Sequence, residues 1–325
     1  MILIFAPLMV ALAQSAAPAT AGGSRPQPSS AHPARAPYDL EVVRQQVMLD
    51  RAGFSPGVID GKSGRSTAGA LAAFTASGTA PAPVEPLSRY RITADDTAGP
   101  FEPIPEDMME KSQLPSLGYT SLLEALAERF HTTAALLQQL NPGETFAVER
   151  EIQVPNVEPM RLPLTPPKST APAAGAAATT PAPQGPAKAD VVITVGKADR
   201  SLTVTDALGT TVFYAPVTTG SEHDPLPIGE WKVNGMQHNP TFYYNPALFW
   251  DADADHAKAK IPSGPNNPVG LVWIDISKPH YGLHGTPVPE TIGRTESHGC
   301  VRLTNWDALH LANLVSPGTR VVFKE

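Results

Sequence analysis

The chain has 325 residues, a net charge of −7, 36 prolines and a single cysteine. That length leaves room for two or three domains. The acidic balance, with no clustered run of Lys and Arg, excludes nucleic acid as an expected partner, and one cysteine excludes an internal disulfide.

Ile2 to Ala13 is an apolar run too short to span a bilayer comfortably, and Ala11-Leu12-Ala13 fits a small-residue cleavage site. The reading is a signal peptide over residues 1–21, hence an exported protein, although no Lys or Arg precedes the apolar run. A buried apolar strand or helix is the alternative. No later segment is apolar enough to cross a membrane, so the mature protein is expected not to span one. Residues 22–37 and 158–189 are rich in Ala, Pro, Ser and Thr without hydrophobic periodicity. Such stretches cannot bury enough surface to offset the entropy of ordering, and both read as extended linkers.

Residues 38–80 form the first folded segment. Leu40, Val43 and Val47 recur at helical spacing, Gly53 is placed to stop the helix, and Phe54 to Gly61 is a turn-rich link. Ser66 or Thr67 is expected to open a second helix with Ala70, Leu71 and Phe74 inside. Gln46, Gly53, Phe54, Gly57, Asp60, Gly61, Gly64, Thr67, Ala70, Leu71 and Phe74 resemble the peptidoglycan-binding domain type 1, departing from it at Ser63 and Thr75. An ordinary helical hairpin without a ligand is the plainer alternative.

Residues 90–157 form the second. Ser121 with Glu124 is a capping box for a helix carrying Leu122, Leu126 and Phe130. A second helix holds Leu136, Leu137 and Leu140 and stops at Asn141-Pro142-Gly143, and Ile152 to Pro155 reads as a strand. This order resembles the second half of a LysM glycan-binding fold. Tyr90 to Thr97 is a partial match to its opening strand, set apart by an insertion containing Pro103, Pro105 and Pro115.

Residues 190–325 change character. Short β-branched runs at Val191–Val195, Ser201–Thr205 and Thr211–Tyr214 alternate with turn clusters, and further strands are expected at 230–233, 271–276 and 319–323. One helix follows Thr304, with Asp307 at its third position and Leu309, Ala312 and Leu314 on its apolar face. The expected fold is multidomain α+β: a small helical module, a LysM-like α/β segment, a Pro/Ala-rich linker and a mostly-β, sandwich- or barrel-like C-terminal domain.

Cys300 lies in Glu296-Ser297-His298-Gly299-Cys300-Val301-Arg302-Leu303, and a second histidine lies in Gly282-Leu283-His284-Gly285-Thr286. An unpaired thiol in an oxidising compartment is a liability unless it does chemistry. A neighbouring imidazole can take its proton and hold an ion pair. Either His284, at the end of an expected strand over 281–284, or His298, which shares a face with Cys300 if that segment is extended, could serve. Gly299 allows the close backbone approach of an oxyanion hole, and Arg302 could grip a carboxylate. The plain alternative is a cysteine that is only a small buried hydrophobe. A zinc site of His284, His298 and Cys300 needs a fourth ligand and tight geometry, and is disfavoured. Asp251-x-Asp253-x-Asp255 fails as a calcium loop because His256 and Pro262 stand where Gly and Glu are required, and reads as a solvated loop.

His284-Gly285-Thr286 followed by Ser297-His298-Gly299-Cys300-Val301-Arg302-Leu303 resembles the signature of the L,D-transpeptidase (YkuD-type) catalytic domain. Pro227-Ile228-Gly229 and Ile261 to Gly270 resemble its upstream segments, with Leu226 where threonine is usual. The resemblance implies Cys300 as nucleophile and His284 as proton donor and acceptor. It implies that His298, Gly299, Ser297 and Gly285 shape the site and its oxyanion pocket, that Arg302 steadies the loop or binds substrate, and that no cofactor or metal is used. It further implies acyl transfer from a peptidoglycan tetrapeptide stem, with loss of D-alanine and a thioester intermediate, and sensitivity to carbapenems. The product is a cross-link between third-position diamino acids, made in the periplasm or cell wall and contributing to wall remodelling and cell shape. The open alternatives are an L,D-carboxypeptidase, a ligase or hydrolase of links between peptidoglycan and an envelope lipoprotein, and a wall-binding protein whose catalytic domain is idle.

Overall fold

The computed structural model describes residues 37–161 and 190–325. The expected signal peptide over 1–21, and the 22–37 and 158–189 linkers except for their ends, lie outside the described residues.

Helix α1 (Leu40–Arg51) is capped by Asp39 and buries Val43, Gln46, Val47 and Leu49. Helix α2 (Arg65–Ala76) begins before the expected Ser66 or Thr67 cap, at N-cap Gly64. Gln46 accounts for the difference. Its buried amide accepts from Gly61 N at 2.9 Å and donates to Thr67 Oγ1 at 3.2 Å, so Thr67 ties the second helix to the first instead of capping it. Phe54 and Phe74 close this small core edge to face, with ring centroids 5.4 Å apart.

Strand β1 (Leu87–Arg91) starts three residues before the expected position, and residues 94–97 turn instead of extending. Asp96 holds that turn by accepting from Thr93 N at 2.8 Å and pairing with Arg129 at 2.5 Å. Then come α3 (Met108–Lys111), α4 (Leu122–Arg129), α5 (Ala134–Leu140) and β2 (Glu151–Pro155), which pairs antiparallel with β1. Ser121 caps α4 as expected, accepting from Glu124 N at 3.1 Å, while Glu124 reaches back to Thr120 N at 2.7 Å, one residue beyond the usual box.

The C-terminal domain contains β3 (Val192–Gly196), β4 (Ser201–Thr205), β5 (Thr211–Pro216), β6 (Gly229–His238), β7 (Phe242–Tyr244), β8 (Ala259–Ile261), β9 (Val272–Ile276), β10 (Gly282–His284), β11 (Val301–Arg302), α6 (Asn305–Leu314) and β12 (Arg320–Lys324). Eight strands form one sheet in the order β11-β10-β9-β6-β12-β3-β4-β5, while β7 and β8 make a separate hairpin. Strand β6 is the spine. Its first half pairs with β12 and its second half with β9, and the register shifts between Val233 and Gly235. An extra residue bends a strand and increases its twist. The two halves therefore curl over one core, with Ile193, Val204 and Phe213 on one side, Ile274 and Leu283 on the other, and Ala308, Leu311 and Ala312 of α6 between them. The expected sandwich or barrel is realised as a single curled sheet. On α6, Leu309 and Leu314 pack only partly, and the burial centres on Ala308, Leu311 and Ala312.

Pro37–Glu325 cluster as one compact unit. Ser55 N donates to Tyr214 O at 2.8 Å and Tyr214 N to Gly53 O at 3.0 Å, covering the free edge of β5. Met160 is buried against Leu271 and Trp306. The first turn of α6 enters a buried polar cluster: Asn305 Nδ2 donates to Glu128 Oε1 at 2.7 Å, Trp306 stacks on His131 at 5.1 Å, and Asp307 Oδ2 accepts from Ser55 at 3.0 Å. His131 Nδ1 meets Asp50 Oδ2 at 2.9 Å.

Burial pushes both the Glu128 and the Asp307 carboxyl up to about 7. Burial opposes a charge on His131, but Asp50 outweighs it and holds the imidazole above its usual range. A carboxyl with a raised folded pKa keeps a proton that the unfolded chain has lost, so stability falls as pH climbs from ~4 toward the folded value. A histidine with a raised folded pKa likewise loses its contribution as pH rises through that value, so the groups act in one direction. The melting temperature is expected to be higher at pH 5 than at pH 8, and Glu128→Gln is expected to flatten that slope. Calorimetric scans across the range check this, and an unchanged slope in the variant would count against the assignment.

Candidate active site

Strand β10 is buried along its length between β9, antiparallel to it, and β11, parallel to it, with Leu283 opposite Val301 and His284 opposite Arg302. Alternation along paired strands sends Leu283, Val301 and Leu303 into the core. By the same parity His284, Arg302 and the preceding Cys300 belong to the other face, and all three line one cleft of about 890 Å³.

His284 is buried, and its Nδ1 lies 2.7 Å from Gly285 O. A carbonyl only accepts, so Nδ1 carries the proton and Nε2 is left as an acceptor. Trp273 stacks on the ring, with centroids 5.5 Å apart. Burial, and then the charge of Arg302, push this imidazole down to about 3. Burial pushes the Cys300 thiol up to about 11 against the pull of a main-chain hydrogen bond from Gly282 and of Arg302. The thiol donates to His280 O at 3.7 Å. Both shifts favour a neutral thiol beside a neutral imidazole over an ion pair, because the cleft desolvates both groups.

Gly299 has φ +95°, and a Cβ there would stand 2.5 Å from Tyr281 Cε1. The segment is kinked and not extended, so His298 and Cys300 do not share a strand face. His298 Nε2 instead pairs with Asp251 Oδ1 at 2.7 Å, which also takes it out of any zinc set with His284 and Cys300. Among the described residues no group of three His, Cys, Asp or Glu is placed to hold a metal. Ser297 fixes the kink, donating from Oγ to Cys300 O at 2.6 Å and from N to Thr219 O at 3.0 Å. Arg302 exchanges main-chain hydrogen bonds with Thr218, and burial lowers the pKa of its guanidinium. Gly285 N donates to Val272 O at 3.2 Å.

The β7–β8 hairpin and its loop form the cleft's outer wall. Trp250 stacks on His223 at 4.5 Å, and Phe249 meets His298 edge-on at 5.0 Å. His256 braces the loop between Tyr244, at 2.9 Å, and Asp107, at 2.7 Å. Asp107, Met108 and Leu117 belong to the insertion between β1 and α4, so that insertion supports the wall. Two polar atoms of cleft residues are buried without a partner, Asp224 Oδ2 and His298 Nδ1.

The sequence reading missed Asp251, taken as a solvated loop residue, and did not single out Asp224, Trp273 or Tyr281. The aromatic run Phe242-Tyr243-Tyr244 with Phe249-Trp250, in a stretch otherwise without strand alternation, was the available signal for the wall.

Residues 190–323 match the YkuD family model, the L,D-transpeptidase catalytic domain. The chain is 33% identical over 106 residues to YkuD of Bacillus subtilis, covering 33% of this chain and 49% of that one. It is 37% identical over 117 residues to the probable L,D-transpeptidase YbiS of Escherichia coli K12, covering 35% of this chain and 38% of that one. The chain thus spans half or less of the length of these two relatives. An L,D-transpeptidase from Mycobacterium smegmatis of known structure is 18% identical, with a TM-score of 0.35, over 42% of this chain and 59% of that one.

Alkylation of Cys300 by iodoacetamide is expected to be slow at neutral pH and to level off only near pH 11, whereas the urea-unfolded chain should level off near an ordinary thiol value of ~8.5. A folded-state plateau at or below the unfolded one would refute the neutral resting pair.

Proposed function

We propose that the chain is a cysteine-dependent peptidoglycan L,D-transpeptidase acting outside the cytoplasm. The observation that supports this reading is that the β10–β11 register sets His284 opposite Arg302, and both line one cleft with Cys300 inside the region that matches the family model.

In the first step His284 Nε2 takes the Cys300 proton as the sulfur attacks the carbonyl carbon of the third residue of a tetrapeptide stem. The partial charge on oxygen is met by main-chain N–H groups at His298, Gly299 and Cys300, whose approach the glycine permits. The C–N bond breaks, His284 returns the proton to the leaving D-alanine amine, and a thioester remains. In the second step the side-chain amine of another stem's diamino acid attacks the thioester, His284 takes the amine's proton, and the C–S bond breaks to restore the thiol. Desolvation holds the resting pair neutral, so proton transfer is coupled to attack and does not precede it. The kinked loop ahead of Arg302 keeps the nucleophile in register with the histidine.

The unpartnered Asp224 oxygen favours an amine over water as acceptor. An ammonium approaching through the cleft would satisfy an oxygen that is otherwise costly to bury. Residues 38–80 and 90–157, which resemble wall-binding modules, would bring the polymer to the same body and raise its local concentration.

The test is incubation of the purified protein with disaccharide-tetrapeptide, followed by mass spectrometry. A dimer formed with loss of one D-alanine, absent in Cys300→Ala, is the expected result, and Cys300→Ala is expected to keep its binding to sacculi. A carbapenem should give a one-to-one covalent adduct at Cys300. Tripeptide monomer alone would assign a carboxypeptidase, or an enzyme whose acceptor is a lysine of an envelope lipoprotein. No product and no adduct would leave a wall-binding protein. Asp224→Asn is expected to lower the ratio of dimer to tripeptide about fivefold or more, the loss of one charged hydrogen bond. An unchanged ratio would remove Asp224 from acceptor binding.

A further inference from the structure

Three consecutive residues of α6 leave the catalytic domain to meet the N-terminal half of the chain: Asn305 to Glu128, Trp306 to His131 and Asp307 to Ser55. They begin five residues after Cys300, and only Val301 to Thr304 intervene. Asn305 is fully buried and its other contacts are specific. Its Oδ1 accepts from Leu271 N at 2.9 Å, and the same oxygen fills the space that a Cβ on Gly270 or on Gly285 would need. Gly285 is the residue whose carbonyl fixes the His284 ring. On its far side Glu128 is itself held, accepting from Tyr119 at 2.5 Å through the carboxylate oxygen that Asn305 does not use.

We propose that Glu128 is a positioning residue for the active site, acting through Asn305 on the Gly285 peptide that sets the orientation of His284. The inference rests on the reading of His284 and Cys300 as the reacting pair. The LysM-like segment is then a structural part of the catalytic machinery. Remove the Glu128 carboxylate, and Asn305 Nδ2 loses its stronger acceptor and keeps a 3.3 Å contact to Pro265 O, leaving Leu271 N on Oδ1 as the main hold on the amide. An amide free to turn presents N–H groups where Oδ1 received Leu271 N, which would push the 270–271 and 285 backbones apart. The Gly285 carbonyl moves, the ring follows, and the cleft beneath Trp273 opens to water.

The full-length protein carrying Glu128→Ala tests this, with Glu128→Gln as the rescue and Ser55→Ala as the control that breaks the neighbouring contact to Asp307 but leaves Asn305 alone. Two readouts are taken: the pH midpoint of Cys300 alkylation, which needs no peptidoglycan substrate, and kcat and KM on the tetrapeptide. Glu128→Ala is expected to lower kcat about tenfold or more at unchanged KM, since small misplacements of reacting groups cost this much or more. It should also bring the alkylation midpoint down toward the ordinary thiol range, because water relieves the desolvation. Glu128→Gln, whose amide oxygen still accepts from Asn305, should restore both. Ser55→Ala should lower the melting temperature and move neither.

Asn305→Ser is expected to reproduce the Glu128→Ala pattern and serves if that variant does not fold. A folded Glu128→Ala protein with wild-type kcat and midpoint overturns the proposal. So does a Ser55→Ala protein that shifts both readouts as much, which would make the effect one of docking stability alone. Wild-type protein that forms neither dimer nor tripeptide would sink the functional reading, and the alkylation arm would still decide whether Glu128 governs the site.

Discussion

Asn305 Oδ1 occupies space that only glycine at positions 270 and 285 leaves open, and it accepts from Leu271 N at 2.9 Å. That close fit determines much of what surrounds it. It sets the separation between the loop entering β9 and the loop leaving β10, and β10 carries His284. It also explains why α6 starts where it does. Thr304 caps the helix by accepting from Asp307 N at 3.1 Å, and this orients Asn305 inward while Trp306 and Asp307 reach the N-terminal half. A buried amide with one donor unsatisfied would cost about 1–3 kcal/mol, so the arrangement holds only with Glu128 in place. The C-terminal sheet and the helical segments before it are fastened here by buried side chains, in addition to the main-chain contacts of Ser55 and Gly53 with Tyr214 and the packing of Met160.

What could be read from the sequence follows the range of the interaction concerned. Local rules placed the caps at Ser121 and Thr304, the stop at Asn141 and most strands of the C-terminal domain, because propensity and turn chemistry act within a few residues. The same rules failed at Thr67, where a buried glutamine 21 residues earlier claims the hydroxyl. They gave no hint of β7, β8 and β11, strands of two or three residues that are set by their partners and not by their own composition. The candidate site residues were legible because thiol, imidazole and glycine stand together in one short run. Spacing alone could not choose between His284 and His298, since parity holds only in an extended chain, and Gly299 at φ +95° breaks the extension. Proline-rich composition reads as linkers that lie outside the described residues except at their ends, and it gives no sign that Pro37–Glu325 cluster as one compact unit. Docking of this kind is written in single residues far apart in sequence, such as Glu128 and Asn305, that no local pattern marks.

The neutral resting pair links the burial of the cleft to its chemistry. A thiolate is the form that oxidants attack. A lone cysteine whose thiol is pushed up to about 11 is therefore poorly reactive toward them, which suits a protein read as working in an oxidising compartment. The same desolvation that protects the sulfur raises the cost of forming the ion pair, and a bound substrate must offset that cost. Here the wall of the cleft matters. His298 is held by Asp251 and pressed by Phe249, and Trp250 beside it stacks on His223. On the proposed reading, a stem peptide entering the cleft would replace water near the sulfur and bring its carbonyl to the main-chain N–H groups beside Gly299. Charge developing on that oxygen would then be met by fixed hydrogen-bond donors. On the proposed reading, the fold would lower the barrier by placing donors for the transition state and would leave the thiol unactivated until the acyl donor is bound.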